Sequence, residues 1–308
     1  VKIEQPRYPI YLPSKGRYET RLTMKQLEWM QTPHHIVVEE QEYDQYAAVT
    51  DPKFGTILVV PRRYFEEYEV CDEHGLTKST GPGPARNFAW DHSTETYGAK
   101  RHWVMDDNIR GFARFHRNQI VKCGNGVPFA AMEDFCDRYK NVAMAGPQYE
   151  MFAMVRKKYP PFAVNRRIFS CNLILNEIPM RWRGRFNDDV ILSIDIMEAG
   201  WCTLLFYAFL QMKVQTMRVP GGMFDLYKDG TYEKSKMLVD LFPQYAKIVK
   251  RYGRVHHSVD YSPFKRNKLV PIEGDIPKRE YACDLRYRES GELVGDTSTK
   301  LAPGKVHT

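Results

Sequence analysis

The strongest constraint on the fold is an alternation in the first third of the chain. Ile36-Val37-Val38, Thr56-Ile57-Leu58-Val59-Val60-Pro61 and Trp103-Val104-Met105 are short, unbroken apolar runs rich in β-branched residues. Segments with helical spacing lie between them: Leu22 to Met30, Glu42 to Ala48, and a helix from Pro84 to His92. Strands that are apolar throughout are covered on both faces, as in parallel sheets crossed by helices. With Tyr8 to Pro13 as the first strand, the predicted fold is α/β: a Rossmann-like, mixed but mostly parallel sheet flanked by helices. The middle third adds strands at Asn141–Met154 and Ile168–Asn176, and helices at Met132–Tyr139, Asp188–Ala199 and Ser235–Leu241. We expect one domain over residues 1–280, in halves 1–110 and 111–280, and a polar tail over 281–308.

Composition narrows the class. A chain of 308 residues that is 43% hydrophobic, with mean hydropathy −0.52, is neither disordered nor membrane-embedded. Its longest apolar run, Trp201 to Leu210, is too short to span a bilayer. From the first residues given, no secretory leader is expected. The six cysteines (Cys71, Cys123, Cys136, Cys171, Cys202 and Cys283) form no C-x-x-C pair. Buried free thiols in a reducing cytoplasm are expected.

In an open α/β sheet, ligands bind beyond the carboxyl ends of the strands. Asp106-Asp107-Asn108 directly follows the Trp103 strand. Alternate side chains there point the same way, so Asp106 and Asn108 are spaced to grip one hard cation, Mn2+ or Mg2+, that bridges phosphate oxygens. On the triplet alone, a solvated turn with capping carboxylates is the simpler account. Gly81-Pro82-Gly83-Pro84-Ala85-Arg86-Asn87 is a loop feeding a helix N-terminus, which favours an anion, and Arg86 adds a charge for a phosphate. Pro13-Ser14-Lys15-Gly16-Arg17 ends strand one and Glu39-Glu40 ends strand two. A parallel sheet brings all these ends to one crevice. Neither a G-x-x-x-x-G-K-[ST] loop nor a G-x-G-x-x-G fingerprint is present. Asn187-Asp188-Asp189 opens a later helix, where one carboxylate is either a helix cap or a general base for an incoming hydroxyl. In Val255-His256-His257-Ser258, His256 is the candidate to complete the cation's shell. Adjacent strand residues face opposite ways, so at most one of the pair serves.

Taken together, these features resemble a nucleotide-sugar glycosyltransferase of the GT-A type. Gly83 to Asn87 is similar to the G-x-x-x-A-R-N stretch of family-2-like enzymes. Asp106-Asp107-Asn108 stands where they carry D-x-D, and Asp188-Asp189 where they carry an acidic pair. Two departures are the uncharged Asn108 and an Asp-Asp pair in place of Glu-Asp. Five blocks narrow the resemblance: IYLPSKGR (10–17), IVVEEQEYDQY (36–46), HWVMDDNIR (102–110), GRFNDDVILSID (184–195) and RVHHSVDYSPF (254–264). In that order, over roughly residues 8 to 270, they resemble the TET/JBP-associated glycosyltransferases of bacteriophages. The resemblance implies a UDP-sugar held in the N-terminal half by Pro13, Ser14, Lys15, Arg17, Glu39, Arg86, Asn87 and Asp107. It implies a metal on Asp106, Asn108 and His256, and an inverting reaction with Asp189 as base and Asp188 as the fallback. The implied acceptor is the hydroxymethyl group of a modified pyrimidine, usually 5-hydroxymethylcytosine, in phage DNA. The implied setting is the cytoplasm of the infected bacterium, with protection against restriction nucleases as the result. The enzyme is expected to be a monomer.

Charge distribution bears on the acceptor. The net charge is +7, but residues 156–185 carry +7 and residues 245–279 carry +6, leaving the remainder at −6. Tyr159, Trp182, Tyr252, Tyr261 and Phe264 are interleaved with these basic residues, as a nucleic-acid surface requires. Arg181, Arg183, Arg185, Lys265 and Arg266 are the candidate DNA contacts, with Trp182 a candidate wedge for base flipping. A solvated basic face over core aromatics is the competing account. Gly221-Gly222-Met223 either lines the acceptor pocket or forms a plain turn. Three alternatives stay open: a GT-A transferase acting on a polysaccharide or lipid carrier, a metal-dependent nuclease or nucleotidyltransferase built on Asp106, Asp107 and Asp189, and a non-catalytic DNA-binding protein on a decayed transferase fold.

Overall fold

The computed structural model describes residues 5–116, 118–155, 157–214, 231–251 and 253–274. Gly221-Gly222-Met223, Tyr252, Cys283 and the 281–308 tail lie outside the described residues.

Four parallel strands, in spatial order β3–β2–β1–β4, form one half of the sheet: β1 (Ile10–Pro13), β2 (His34–Val38), β3 (Gly55–Val59) and β4 (Arg101–Met105). Helices α1 (Leu22–Trp29), α2 (Tyr43–Ala47), α3 (Arg63–Glu66) and α4 (Gly83–Tyr97) connect them. The apolar strand residues Ile10, Leu12, Ile36, Val38, Trp103 and Met105 pack into one core layer. Tyr11, Val37 and Val104 pack on the other side against α4. This two-sided burial is the physical reason for the unbroken apolar runs.

Beyond β4 the sheet continues with β9 (Cys171–Leu175), β7 (Val142–Tyr149), β10 (Cys202–Lys213), β5 (Ile109–His116) and β6 (Gln119–Lys122), while β8 (Phe162–Val164) pairs with β10. Antiparallel pairings dominate here, although β10 runs parallel to β7. The Trp201–Leu210 run is mostly β10, a central strand with neighbours on both edges, and this explains its apolarity. Two helices cover this half, α5 (Val127–Cys136) and α6 (Asp188–Glu198). Helix α5 starts five residues before the expected Met132, because Asn125 Oδ1 accepts the Val127 N–H and Pro128 sits in the first turn. A separate ribbon of β11 (Ala246–Arg251) and β12 (Arg254–Val259) packs on α7 (Tyr232–Leu241). Among the described residues no helix is long and apolar enough to cross a membrane.

A buried polar cluster ties the end of α4 to the start of β4 and the end of β9. Asn176 donates through Nδ2 to Ser93 Oγ and the Ala99 carbonyl, so its Oδ1 accepts from His102 Nδ1. That fixes the neutral tautomer and leaves His102 Nε2 buried without a partner. Burial pushes the His102 pKa down to about 4. Between pH 6.5 and 4 the unfolded chain therefore takes up a proton that the folded chain refuses. The resulting stability is complete above about pH 6.5 and is lost as pH falls, by on the order of 3 kcal/mol. Urea midpoints should show it: from pH 7 to pH 4, His102→Gln should gain on the parent by about that amount. An unchanged difference would sink this assignment.

Candidate active site

The carboxyl ends of β1, β2 and β4 open onto a cavity of about 330 Å3 that also borders the N-terminus of α6. Pro13, Ser14, Lys15, Arg17, Glu39, Arg86, Asp106, Asp107, Asn108, Asp188 and Asp189 all line it, so most of the sequence candidates converge. Ser14 Oγ donates to Asp107 Oδ2 at 2.8 Å and Arg17 Nη1 pairs with Asp107 Oδ1. Tyr46 Oη, 2.6 Å from Ser14 Oγ and accepting the Arg17 N–H at 3.1 Å, fixes this loop. Lys15 pairs with Glu39 at the rim.

Arg86 is the hub. It is buried, with Nη2 2.7 Å from Asp106 Oδ1 and Nη1 2.8 Å from Asp188 Oδ2. Its guanidinium stacks 4.6 Å above the Trp182 ring. Gly83, one turn earlier on α4, abuts the Tyr68 ring, leaving no room for a Cβ. The second Asp106 oxygen accepts from Lys213 Nζ at 2.6 Å, and Lys213 also reaches Ser170 Oγ at 2.7 Å. Burial alone would raise the Asp106 pKa, but the Lys213 and Arg86 charges outweigh it and hold the carboxyl well below the usual range. Asp188 shifts upward, because burial and the Asp189 and Asp106 charges together outweigh Arg86. Asp189 forms no ion pair among the described residues; its Oδ1 accepts only the Val190 N–H, at 2.8 Å. Of the two acidic residues opening α6, Asp189 is therefore the one not committed to a cation.

The structure separates other candidates from this crevice. Asn87 turns the opposite way and clamps the Trp182 backbone, donating to its carbonyl at 2.9 Å and accepting its N–H at 3.0 Å. Trp182 is 1% exposed beneath Arg86, so it is a platform for that guanidinium and not a wedge for DNA. Arg185 is 0% exposed, paired with Asp72 and bonded to the carbonyls of Gly75, Lys78 and Ser79, which it staples. Arg183 grips Asp195 through two bonds of 2.9 and 3.0 Å. Arg181 lies 4.6 Å over the Trp90 ring and 3.9 Å from Asp91. The basic run at 181–185 is thus neutralised locally by acids distant in sequence.

The basic run at 245–279 behaves differently. Lys247, Lys250, Arg251, Arg254, Lys265, Arg266 and Lys268 are exposed and form no ion pair among the described residues. Lys265 and Arg266 end a 3-10 turn, Ser262–Arg266, anchored by buried Phe264. In the ribbon, Val249 pairs with His256 and Ile248 with His257. Cross-strand partners share a face, so His256 lies with Lys247, Arg251 and Arg254, on the side away from His257. It is His257 that lines the cavity.

Of the three residues expected to hold a metal, Asp106 and Asn108 line the cavity and His256 does not. Asp106 spends both oxygens on Arg86 and Lys213, His256 is elsewhere, and Asn108 offers one buried, unpartnered, uncharged Oδ1. Among the described residues no group of three or more His, Cys, Asp and Glu side chains is placed to hold an ion. The sequence reading also missed Arg167, Lys213, Lys234 and His257 in the cavity wall. Lys213 had a usable signal, being the first charged residue of a long apolar run and the last residue of its strand.

A crevice at the carboxyl ends of parallel strands, lined by Arg, Lys and Asp side chains, is where an α/β fold places its ligand site. Residues 8–222 match the family model of the TET-Associated Glycosyltransferase. The chain belongs to that family and is a glycosyltransferase. No curated protein matches it.

Proposed function

We propose that the enzyme transfers a sugar from a UDP-sugar to the hydroxymethyl group of a modified pyrimidine, 5-hydroxymethylcytosine, in phage DNA, by an inverting GT-A-type reaction. The observation that carries this reading is Asp189: a carboxylate with no ion pair among the described residues, lining the same cavity as Lys15, Arg17, Arg86 and Lys213. The N-terminal loop residues Ser14 and Arg17, organised by Asp107, and the rim pair Lys15–Glu39 would hold the nucleoside end. Asp189 accepts the acceptor's hydroxyl proton as that oxygen attacks the anomeric carbon. The bond from that carbon to the diphosphate oxygen breaks, its electron pair leaves with the nucleoside diphosphate, and the new bond forms on the opposite face. On this reading the enzyme works in the cytoplasm of an infected bacterium and shields phage DNA from restriction nucleases. The test is mass spectrometry of nucleosides from hydroxymethylated DNA incubated with the enzyme and a panel of nucleotide sugars. A hexose or pentose mass increment is expected; unmodified nucleosides with every donor would overturn the reading.

For DNA, the exposed face of the ribbon is a better candidate than the 181–185 run, whose arginines are paired within the protein. Changing Lys247, Arg251 and Arg254 together to Gln should weaken DNA binding and flatten log Kd against log salt by up to about 0.9 per lost phosphate contact. Arg183→Gln should leave that slope unaltered, since Asp195 already neutralises the side chain. Fluorescence anisotropy across a salt series separates the two. Equal slopes for both variants and the parent would exclude the ribbon.

A further inference from the structure

An exposed apolar surface borders the crevice. Strands β7 and β10 run parallel to β4, since β9 is antiparallel to both β4 and β7, and β10 is parallel to β7. Their carboxyl ends therefore lie on the same edge of the sheet as the crevice, where an α/β fold takes its ligands. Tyr149 ends β7 and leads into a 3-10 turn, Glu150–Phe152. Tyr149 Oη donates to the Lys213 carbonyl at 2.9 Å, and Lys213 lines the cavity. The Phe152 ring lies 5.5 Å from the Tyr149 ring and 6.4 Å from that of Phe169, which also lines the cavity. Met151, Phe152, Met154 and Val155 are each about half exposed. Four such side chains fall within five residues, whereas the other exposed large apolar residues among those described stand singly in the sequence.

The segment that carries these side chains is anchored. Ala153, in their midst, is buried in a cluster with Ala113 and Leu210. Tyr159 Oη accepts the Met154 N–H at 3.2 Å and donates to the Phe152 carbonyl at 3.3 Å, and its ring stacks 4.9 Å from that of Tyr207. A fixed apolar tip left in water is a surface that another molecule covers. Charge indicates which kind. Glu150 is paired with Arg110 at 3.6 Å, while Lys157, Lys158 and Arg166 are exposed and form no ion pair among the described residues. Arg167, next to Arg166, lies 4.8 Å over the Phe169 ring. An occupant with apolar faces and negative charge fits this surface, and a nucleic-acid strand has both. Whatever covers the tip also stands beside the crevice, where the acceptor must arrive.

We propose that the tip at residues 151–155 is a wedge for the base stack of duplex DNA, with Phe152 taking the place of the pyrimidine delivered to Asp189. The proposal rests on the DNA-transferase reading above and names how that acceptor is reached. A cavity of about 330 Å3 does not admit a duplex, so the hydroxymethyl group is reachable only once its base leaves the stack. Phe and Met side chains enter between bases with no polar group to desolvate, and their contacts offset part of the lost stacking. Lys157, Lys158 and Arg166 supply charge for the neighbouring phosphates.

A duplex carrying 2-aminopurine beside a single 5-hydroxymethylcytosine, and the same strand alone, test this with the full chain. The parent should raise 2-aminopurine fluorescence on the duplex, and Phe152→Ser should remove most of that rise at the parent's melting temperature. With UDP-glucose and UDP-arabinose as donors, Phe152→Ser should lower the duplex-to-single-strand ratio of transfer rates by about tenfold or more. Phe152→Leu should restore most of that ratio, because another apolar side chain fills the gap. Transfer to the duplex without a fluorescence rise, or a parental ratio when Met151 and Phe152 are both changed to Ser, overturns the proposal and leaves the transferase reading standing. Loss of binding to phosphatidylglycerol vesicles, or of self-association, with the ratio unaltered also overturns it and assigns the tip to a membrane or a second copy. Absence of transfer by the parent to either form of the DNA overturns the DNA reading itself.

Discussion

Asp189→Asn should reduce sugar transfer by about a hundred- to ten-thousand-fold while leaving nucleotide binding close to that of the parent. The substitution keeps the size of the side chain and its acceptor for the Val190 N–H, so the start of α6 is retained. What it removes is the one member of the acidic pair able to receive a proton without first releasing a cation. Asp188→Asn should act differently. Asp188 already holds Arg86, so its loss loosens the hub and lowers stability together with turnover. Single-turnover transfer and nucleotide titration on both variants separate these outcomes. If Asp189→Asn keeps full turnover, or loses nucleotide binding in step with turnover, Asp189 is not the base.

The second large effect concerns stability. Arg86→Met should cost about 3–5 kcal/mol, because removing one partner of a buried ion pair leaves charge uncompensated. Here Asp106 keeps Lys213, whereas Asp188 keeps no cation among the described residues. The effect has a definite pH dependence. A carboxyl deprived of its counter-charge is raised in pKa in the folded state, so it binds protons more readily folded than unfolded. The deficit should therefore be largest near pH 8 and shrink as pH falls toward 5. Arg86→Lys should recover only part of the loss, since one ammonium does not span two carboxylates while stacking on Trp182. Urea unfolding across that pH range measures both variants. A deficit that grows on acidification would contradict the hub assignment.

Much of this molecule was legible in its sequence, and the limits have physical causes. The parallel strands and their connecting helices announced themselves because two-sided burial demands unbroken apolar runs. β5 was hidden because its sequence, IRGFARFH, mixes charges with apolar residues. The strand-end rule located Ser14, Arg17 and Asp106 on one cavity, since it depends only on strand direction, while Arg86 and Asp189 reach the same cavity from the starts of helices α4 and α6. Contacts between elements were beyond reach. Nothing local to Arg183 reveals that Asp195 will grip it, or that Asp72 will bury Arg185. A basic run therefore looks the same whether it faces solvent or is neutralised at home. The sequence pointed to His256, but the ribbon's register turns His256 away from the cavity and places His257 there.

The two-stranded ribbon has a further consequence. Its residue His257 lines the cavity, while Lys247, Arg251 and Arg254 on the reverse side are exposed. Alternation along a strand lets the two sets vary independently. On the proposed function, substitutions on the outer side would therefore retune which polyanion is engaged without disturbing the cavity. On that reading the ribbon is a practical graft point for redirecting the enzyme to another acceptor.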